Sequence, residues 1–168
     1  MQEIFITSVQ EQQIEEVVAY VKKCRQLLFP MLDHSTVPRD LTAFKETYLT
    51  NSQGCFLQAR DQKGSILGVI GMLTYDQRFD YLQYKDYATV EVVRLYIEPS
   101  YRRKGLATQL FEVLVHQAVA KGIERLYLHT HPFLTGALEY WEKQGFELVT
   151  TSTDGGFTTL HMNRSLSD

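Results

Sequence analysis

Apolar positions along the chain follow two different spacings. Intervals of three and four residues, typical of amphipathic helices, occur over 12–28, 41–49, 106–121 and 136–144. Alternating or β-branched runs, which favour strands, occur over 4–6, 56–59, 66–74, 89–97, 125–130, 146–151 and 157–162. The order is strand, two helices, three strands, helix, strand, helix and two strands. It predicts a mixed α/β fold, with one sheet that carries helices on its faces.

Turn-forming residues bound these elements. The segment Asp61–Gly64 and the segment Asp154–Gly156 each predict a hairpin between neighbouring strands. Asp40 is a suitable N-cap for the second helix. Because the chain shows neither an internal repeat nor a linker, we expect a single domain over residues 1–168.

Composition narrows the class of partner. The 168 residues include 17 Lys and Arg against 20 Asp and Glu, and the net charge of −3 argues against a nucleic-acid partner. The longest strongly apolar stretch, 66–73, is far shorter than the roughly 20 residues of a membrane span, and the N-terminus lacks a signal-peptide pattern. Two cysteines are too few for a disulfide framework. We therefore expect a cytoplasmic protein with a small-molecule partner and no membrane association.

The most informative segment is 92–107, where a strand leads through a basic turn into a helix. Arg102, Arg103 and Lys104 precede Gly105, which allows a ligand to approach the backbone closely. The unpaired N–H groups of a helix N-terminus bind phosphate readily. The turn is therefore a candidate phosphate site, although three solvated basic residues at a helix entry would give the same pattern.

This turn resembles a family signature. Arg102-x-x-Gly105-x-Ala107, after an apolar strand that ends at Pro99, is similar to the acetyl-coenzyme A motif of the GNAT N-acetyltransferase superfamily. The helix and Gly-Phe pair at 137–146 resemble a later family motif, and the element order matches from Ile4 to Met162. The resemblance implies the GNAT fold, with a mixed, mostly antiparallel sheet of about seven strands and helices on both faces. It also implies acetyl-CoA as cosubstrate, with no metal.

The resemblance further implies where coenzyme A lies. Backbone N–H groups of the basic turn would hold the pyrophosphate, and the strand before it, splayed from the strand at 125–130, would pair with the pantetheine arm. A backbone N–H near Leu95 would polarise the thioester carbonyl. The cofactor-binding residues expected on this basis are Leu95, Tyr96, Ile97, Arg102, Arg103, Lys104, Gly105, Leu106, Ala107, Thr108 and Trp141.

Two side chains are candidates for proton transfer. Glu91 lies 11 positions before Arg102, as the catalytic Glu does in the histone-modifying branch, and alternation places it on one face with Val93 and Leu95. An ordinary strand carboxylate is the equal alternative, and Glu98 is a weaker candidate base. Many family members have a Tyr where this chain has Trp141. Tyr140 is the candidate acid, although neighbouring helix positions point about 100° apart, and a thiolate could also leave without an acid.

The acceptor side is predicted from aromatic residues. Tyr75, Phe79, Tyr81, Tyr84 and Tyr87 crowd into one segment with three aspartates, a mixture that suits a cationic amine. A loop that pins itself on the core would look the same. Phe29, in the loop after the first helix, is a candidate for the opposite wall.

Two histidines remain. His129 and His131 share a strand face and are read as hydrogen-bonded strand residues, with a substrate or proton-relay role as the alternative. Metal binding would need further ligands, so no metal site is predicted. Cys55 has no visible activating base, which argues against an acyl-cysteine route.

The sequence thus predicts an N-acetyltransferase in which a small-molecule amine attacks acetyl-CoA directly. A protein or peptide acceptor and a non-catalytic acyl-CoA-binding module are the alternatives. A homodimer is one assembly that the resemblance leads us to expect.

Overall fold

The computed structural model describes residues 2–153 and 156–166. The first two residues of the predicted Asp154–Gly156 turn lie outside that range. None of the helices in the described part is long and apolar enough to cross a membrane.

Seven strands form one sheet in the order β1-β2-β3-β4-β5-β7-β6. Every neighbouring pair is antiparallel except β4 and β5, which run parallel. The predicted seven-stranded, mostly antiparallel sheet is therefore confirmed. The strands are β1 (Phe5–Ser8), β2 (Cys55–Arg60), β3 (Ile66–Thr74), β4 (Thr89–Ile97), β5 (Arg125–Thr130), β6 (Glu147–Ser152) and β7 (Thr159–Ser165).

In the described ranges, four α-helices and three short helical turns lie between the strands. The helices are α1 (Ile14–Leu28), α2 (Arg39–Thr42), α3 (Leu106–Ala120) and α4 (Ala137–Lys143). The 3₁₀ turns are Glu11–Gln13 and Pro99–Tyr101, and Lys45–Leu49 forms a π-helical turn.

The two faces of the sheet bury separate cores, as strand alternation requires. Leu57 packs with Leu110 and Leu114 of α3, whereas its neighbour Phe56 packs with Val17 and Val21 of α1 on the other face. The buried α3 residues recur every three or four positions, which is the spacing of one helix face. Helices cover both faces for this reason.

The second helix differs from the prediction of one helix over 41–49. Pro38, not Asp40, precedes its first turn, and no side chain at the cap position accepts a hydrogen bond from the helix. Asp40 instead accepts from Arg94 Nε at 3.1 Å and Nη2 at 2.8 Å, and from the Tyr48 hydroxyl at 2.7 Å. The prediction that Asp40 is an N-cap is wrong because the carboxylate neutralises a half-buried arginine on β4.

A bulge in β4 overturns a second expectation. Between Val93, opposite Gly71, and Tyr96, opposite Val69, β4 contains one residue more than β3. Arg94 lies in this bulge and has a φ of +59°, a conformation that is uncommon for residues other than glycine. Side chains beyond the bulge change faces, so Leu95 packs on the α3 side while Val93 packs on the α1 side. Leu95 therefore does not share a face with Glu91.

We expect the Asp40–Arg94 pair to stabilise the fold substantially. Both side chains are only about 15% exposed, at 14% and 16%, so the Asp40→Asn variant leaves a poorly hydrated guanidinium without its counter-charge. The free energy of unfolding, measured by urea denaturation, should fall by about 3 kcal/mol. Glu16→Gln is the matched control, because it removes a carboxylate that is 58% exposed and pairs with Arg60. That variant should lose less than about 1 kcal/mol. Equal losses would show that the pair does not anchor the bulge.

Candidate active site

The site is a cleft that opens where β4 and β5 part. The two strands pair only from Thr89 to Glu91, opposite Arg125 to Tyr127. Beyond that point β5 stays paired with β7 as far as Thr130, while β4 bulges away at Arg94. The resulting cleft has a volume of about 1070 Å³ and is walled by α1, β4, β5 and α4. Its size is at the upper end of the usual range for a small-molecule site.

The predicted cofactor residues are divided between the cleft and its rim. Those that line the cleft are Leu95, Tyr96, Ile97, Arg102, Ala107 and Trp141. The other five are not among its described lining residues: Arg103, Lys104, Gly105, Leu106 and Thr108. Leu106 is buried in the α3 core, so only its backbone could reach a ligand.

The basic turn lies at one end of the cleft. Gly105 stands at the N-cap position of α3 with a φ of +84°, and no side chain caps the helix there. The first N–H groups of a helix have no partner four residues earlier. Arg102 donates from Nε to the Ile97 carbonyl at 3.1 Å, which ties the turn to the end of β4. The turn therefore presents backbone donors and positive charge beside the cleft.

Glu91 lies at the opposite end of the cleft, at the last position where β4 pairs with β5. It is 4% exposed and accepts two hydrogen bonds from Arg78, at 2.8 and 2.9 Å. His129 Nδ1 lies 3.2 Å from Glu91 Oε2. Burial alone would raise the pKa of the Glu91 carboxyl, but His129 and Arg78 outweigh burial and lower that pKa to about 2. Arg78 and His129 therefore keep this carboxylate, a candidate base or an ordinary strand residue on the sequence alone, in its charged form.

His129, on β5, is the second partner of the Glu91 carboxylate. In the neutral tautomer that donates from Nδ1 to this carboxylate, Nε2 has a lone pair, and the side chain is 33% exposed. The register of β4 and β5 brings Glu91 and His129 together. Tyr127 is paired with Glu91, and His129 follows two residues later on the same face of β5. Its i, i+2 spacing with His131 was visible in the sequence, but the carboxylate partner on another strand was not.

Tyr140 and Trp141 both line the cleft, on the α4 wall. Trp141 packs edge-on against Phe111 and Phe146. The Tyr140 hydroxyl lies 3.3 Å from the Thr108 hydroxyl in the first turn of α3, and burial raises the pKa of the phenol. Tyr140 therefore stays protonated and can donate into the cleft.

The aromatic side chains before β4 that were candidates for the acceptor wall are not among the described lining of the cleft. Tyr75 and Tyr84 are each 3% exposed and form a buried cluster with Tyr127, against which Phe79 packs. Tyr81 is exposed at the surface, and none of these four tyrosine and phenylalanine residues belongs to the described lining of the cleft. Through the contacts of these rings with Tyr127, the loop packs against β5. Phe29, by contrast, does line the cleft.

A second cavity, of about 300 Å³, adjoins the cleft. His129, His131, Phe29 and Arg94 line both spaces, so the imidazole of His129 stands at their junction. Sequence reasoning missed this cavity because its walls come from the loop after α1, the loop after β5 and the segment before β7.

Known proteins resemble this chain in sequence and in fold. The model of the acetyltransferase (GNAT) family matches residues 18–146. An uncharacterized N-acetyltransferase of Escherichia coli strain K12, YjgM, is 40% identical over 59 residues, which are 35% of each chain. The chain spans about a third or less of the length of the curated relatives that it matches.

Solved structures share the fold over nearly the whole chain. A GNAT acetyltransferase from Staphylococcus aureus Mu50 superposes with a TM-score of 0.78 at 20% identity, covering 98% of this chain and 100% of the other. An aminoglycoside 6′-N-acetyltransferase complexed with coenzyme A gives a TM-score of 0.69 at 15% identity, covering 98% of each chain. The family match spans most of the chain, and the mixed α/β fold with its mostly antiparallel sheet matches that of GNAT acetyltransferase structures. The chain belongs to the GNAT family of acetyltransferases.

Proposed function

We propose that the protein transfers the acetyl group of acetyl-CoA to a small primary amine, which attacks the thioester directly. The observation that carries the proposal is the His129–Glu91 pair, which lies where β4 and β5 part. An imidazole that faces a cleft and is oriented by a buried carboxylate is suited to accept a proton from an ammonium group.

The residues of the cleft fit coenzyme A. The turn from Arg102 to Thr108 offers donors and positive charge for the phosphates. The edge of β4 that faces β5 has lost its strand partner after Glu91, so its backbone can pair with the extended pantetheine arm. Acetyl-CoA supplies the acetyl group as a thioester, and we expect the backbone N–H near Leu95 to polarise its carbonyl.

Gly105→Glu should weaken coenzyme A binding by about 100-fold or more. It introduces a negative charge beside the phosphates and a side chain at a φ of +84°, where L-residues are strained. Isothermal titration with coenzyme A measures the loss.

Gly122→Glu is the control for this variant. Gly122 has a φ of +76°, lies at the other end of α3, and an added Cβ meets nothing within 4 Å at either position. It should bind coenzyme A as the unmodified protein does. Unchanged affinity in Gly105→Glu would contradict the placement of the phosphates.

The state of the two cysteines supports direct attack. Cys24 lines the cleft, but burial raises the pKa of its thiol. Burial likewise raises the pKa of Cys55 to about 11. A covalent route would need a thiolate near neutral pH. An attack by the amine itself, within a complex of both substrates, needs none.

The residues would move protons as follows. His129 Nε2 accepts a proton from the acceptor ammonium, and the freed nitrogen lone pair forms the new N–C bond as the C–S bond breaks. Glu91 stabilises the imidazolium through Nδ1–H. The amide nitrogen then loses its second proton, which passes to the departing thiolate or to solvent, and Tyr140 donates a hydrogen bond to the sulfur as it leaves. A thiol with an ordinary pKa near 8.5 also leaves readily as the thiolate.

His129→Gln should lower kcat at neutral pH by about 10²- to 10⁴-fold, because it removes the proton acceptor. The affinity for coenzyme A should stay within about threefold, since the phosphates bind at the far end of the cleft. Thiol release from acetyl-CoA measures the first quantity, and titration calorimetry measures the second.

His116→Gln removes an exposed histidine of α3, away from the cleft, and should leave both quantities unchanged. Turnover in His129→Gln equal to that of this control would rule out His129 as the base. Binding of coenzyme A without acetylation of any amine by the unmodified protein would favour a non-catalytic acyl-CoA-binding module.

Substitutions of Glu91 and of its partner Arg78 should shift the pH–rate profile in opposite directions. Glu91→Gln removes the anion that stabilises the imidazolium, so the acidic limb of kcat should move to lower pH by about one unit, with a lower plateau. Arg78→Gln removes a competing cation from the same carboxylate, so the limb should move to higher pH. Shifts in the same direction would contradict the orienting role of Glu91.

A further inference from the structure

We infer that the second cavity is the acceptor site and that its substrate is an apolar amino acid, which presents its amine to His129 and its free carboxylate to Arg25. The inference rests on the proposed acetyl transfer and names the class of acceptor. Its first support is position, because His129 and His131 line both this cavity and the cleft.

The second support is charge. Among the described residues that line the cavity, two are arginines, two are histidines and none is acidic. Arg94 is neutralised by Asp40, whereas Arg25 donates to Nδ1 of His34 at 3.1 Å. That imidazole donates in turn from Nε2 to the Phe29 carbonyl at 2.8 Å, which makes it a neutral partner. Arg25 therefore brings a positive charge that no carboxylate within ion-pair distance offsets in the described part of the chain.

Most nearby carboxylates are already ion-paired. Of the four that line the cleft, Glu91 and Asp76 are paired with Arg78 and Asp40 is paired with Arg94. Asp33, next to His34, accepts hydrogen bonds from the backbone and hydroxyl of Ser35, and its charge acts on Arg25 only from beyond ion-pair distance. No acidic residue is among the described residues that line the second cavity, so a second ammonium group on an acceptor held there would meet no carboxylate in its walls and would be repelled by Arg25.

The third support is the apolar wall. Phe29 and Phe133 meet edge to face at 5.8 Å, and Phe133 and Phe157 lie 6.2 Å apart. His131 stacks on Phe133 at 5.2 Å and is fixed by a hydrogen bond from Nδ1 to the Thr158 carbonyl. Phe133 is nonetheless 44% exposed. Three rings thus offer apolar surface that an aliphatic or aromatic side chain of the acceptor can cover.

A volume of about 300 Å³ limits the size of the acceptor. It is at the lower end of the range for small-molecule sites, roughly 300–1,000 Å³. Such a space suits an acceptor the size of a single amino acid, with its amine, carboxylate and side chain directed to three different walls. Polyamines and aminoglycosides are longer or larger, and they carry additional positive charges.

The test compares acceptors that differ by one group. Thiol release from acetyl-CoA is measured with L-phenylalanine, L-phenylalaninamide, phenethylamine and spermidine, and each rate is normalised to the fraction of unprotonated amine. We expect kcat/KM for L-phenylalanine to exceed that for the amide and for phenethylamine by about 10-fold or more, because each lacks the carboxylate. Spermidine should be poorer by about 100-fold or more.

Variants of Arg25 locate the carboxylate. Arg25→Gln should raise KM for L-phenylalanine about 10-fold, with kcat within about threefold and KM for phenethylamine unchanged. Arg25→Lys should restore part of the loss. Lys22→Gln is the matched control, since it removes one positive charge from an exposed position of the same helix, outside both cavities.

The outcomes separate the two proposals. If spermidine, the amide or phenethylamine is the better acceptor, the inference is overturned and acetyl transfer stands. An Arg25→Gln variant that loses activity equally toward L-phenylalanine and phenethylamine also overturns it, since Arg25 would then only support the loop. If coenzyme A binds and none of the four amines is acetylated, the inference fails, and the proposed acetyl transfer fails with it only if no other primary amine is acetylated.

Discussion

The separation of β4 from β5 is the constraint on which the rest of the site depends. Parallel neighbours in a sheet normally stay paired along their length, and here the ladder ends at Glu91. The extra residue at Arg94 bends β4 away, and the ion pair with Asp40 keeps that bend in place. Without the bulge, β4 would remain against β5 and its backbone edge would be closed. His129 would then lie against a strand rather than at the junction of two cavities.

The same separation divides the charges of the cleft into two kinds. At the open end the basic turn is exposed, so its positive charges are available to an anionic ligand. At the closed end the last paired residue is a buried carboxylate, whose desolvation is offset by Arg78 and His129. One end can therefore attract phosphate, while the other holds a fixed anion that polarises a single imidazole. With a carboxylate at the open end and the basic residues at the closed end, the cleft would repel phosphate and would leave the imidazole without an anionic partner.

Local features were predictable from the sequence and long-range ones were not. Strands at 66–74, 89–97 and 125–130 were predicted with the observed bounds, because β-branched runs and flanking Gly and Pro residues act within a few positions. The bulge was missed because Arg94 gives no sign that it adopts a positive φ. Its partner Asp40 is 54 residues away and was taken for a helix cap. Residues from such distant loops meet only when the sheet order is known.

The aromatic residues show a related limit. Composition marked the segment 75–87 as rich in rings, and both a binding wall and a self-fastening loop were consistent with that richness. Only the packing of Tyr75 and Tyr84 against Tyr127 decided between them. Phe133 and Phe157, which the sequence does not mark as site residues, line the smaller cavity. A count of rings measures how much apolar surface is available, whereas the topology decides whether that surface faces the core or a ligand.

The energetics of proton transfer explain why a histidine is placed beside so acidic a carboxylate. An acceptor ammonium has a pKa near 10. Transfer of its proton to a base costs about 1.4 kcal/mol for each unit by which the pKa of that base is lower. Direct transfer to Glu91, with its pKa of about 2, would therefore be far uphill. Imidazole titrates close to neutral pH and narrows that gap. In the proposed mechanism the anion behind it stabilises the imidazolium at the moment it forms, so the arginine that makes Glu91 a poor base also keeps it available as a partner for His129.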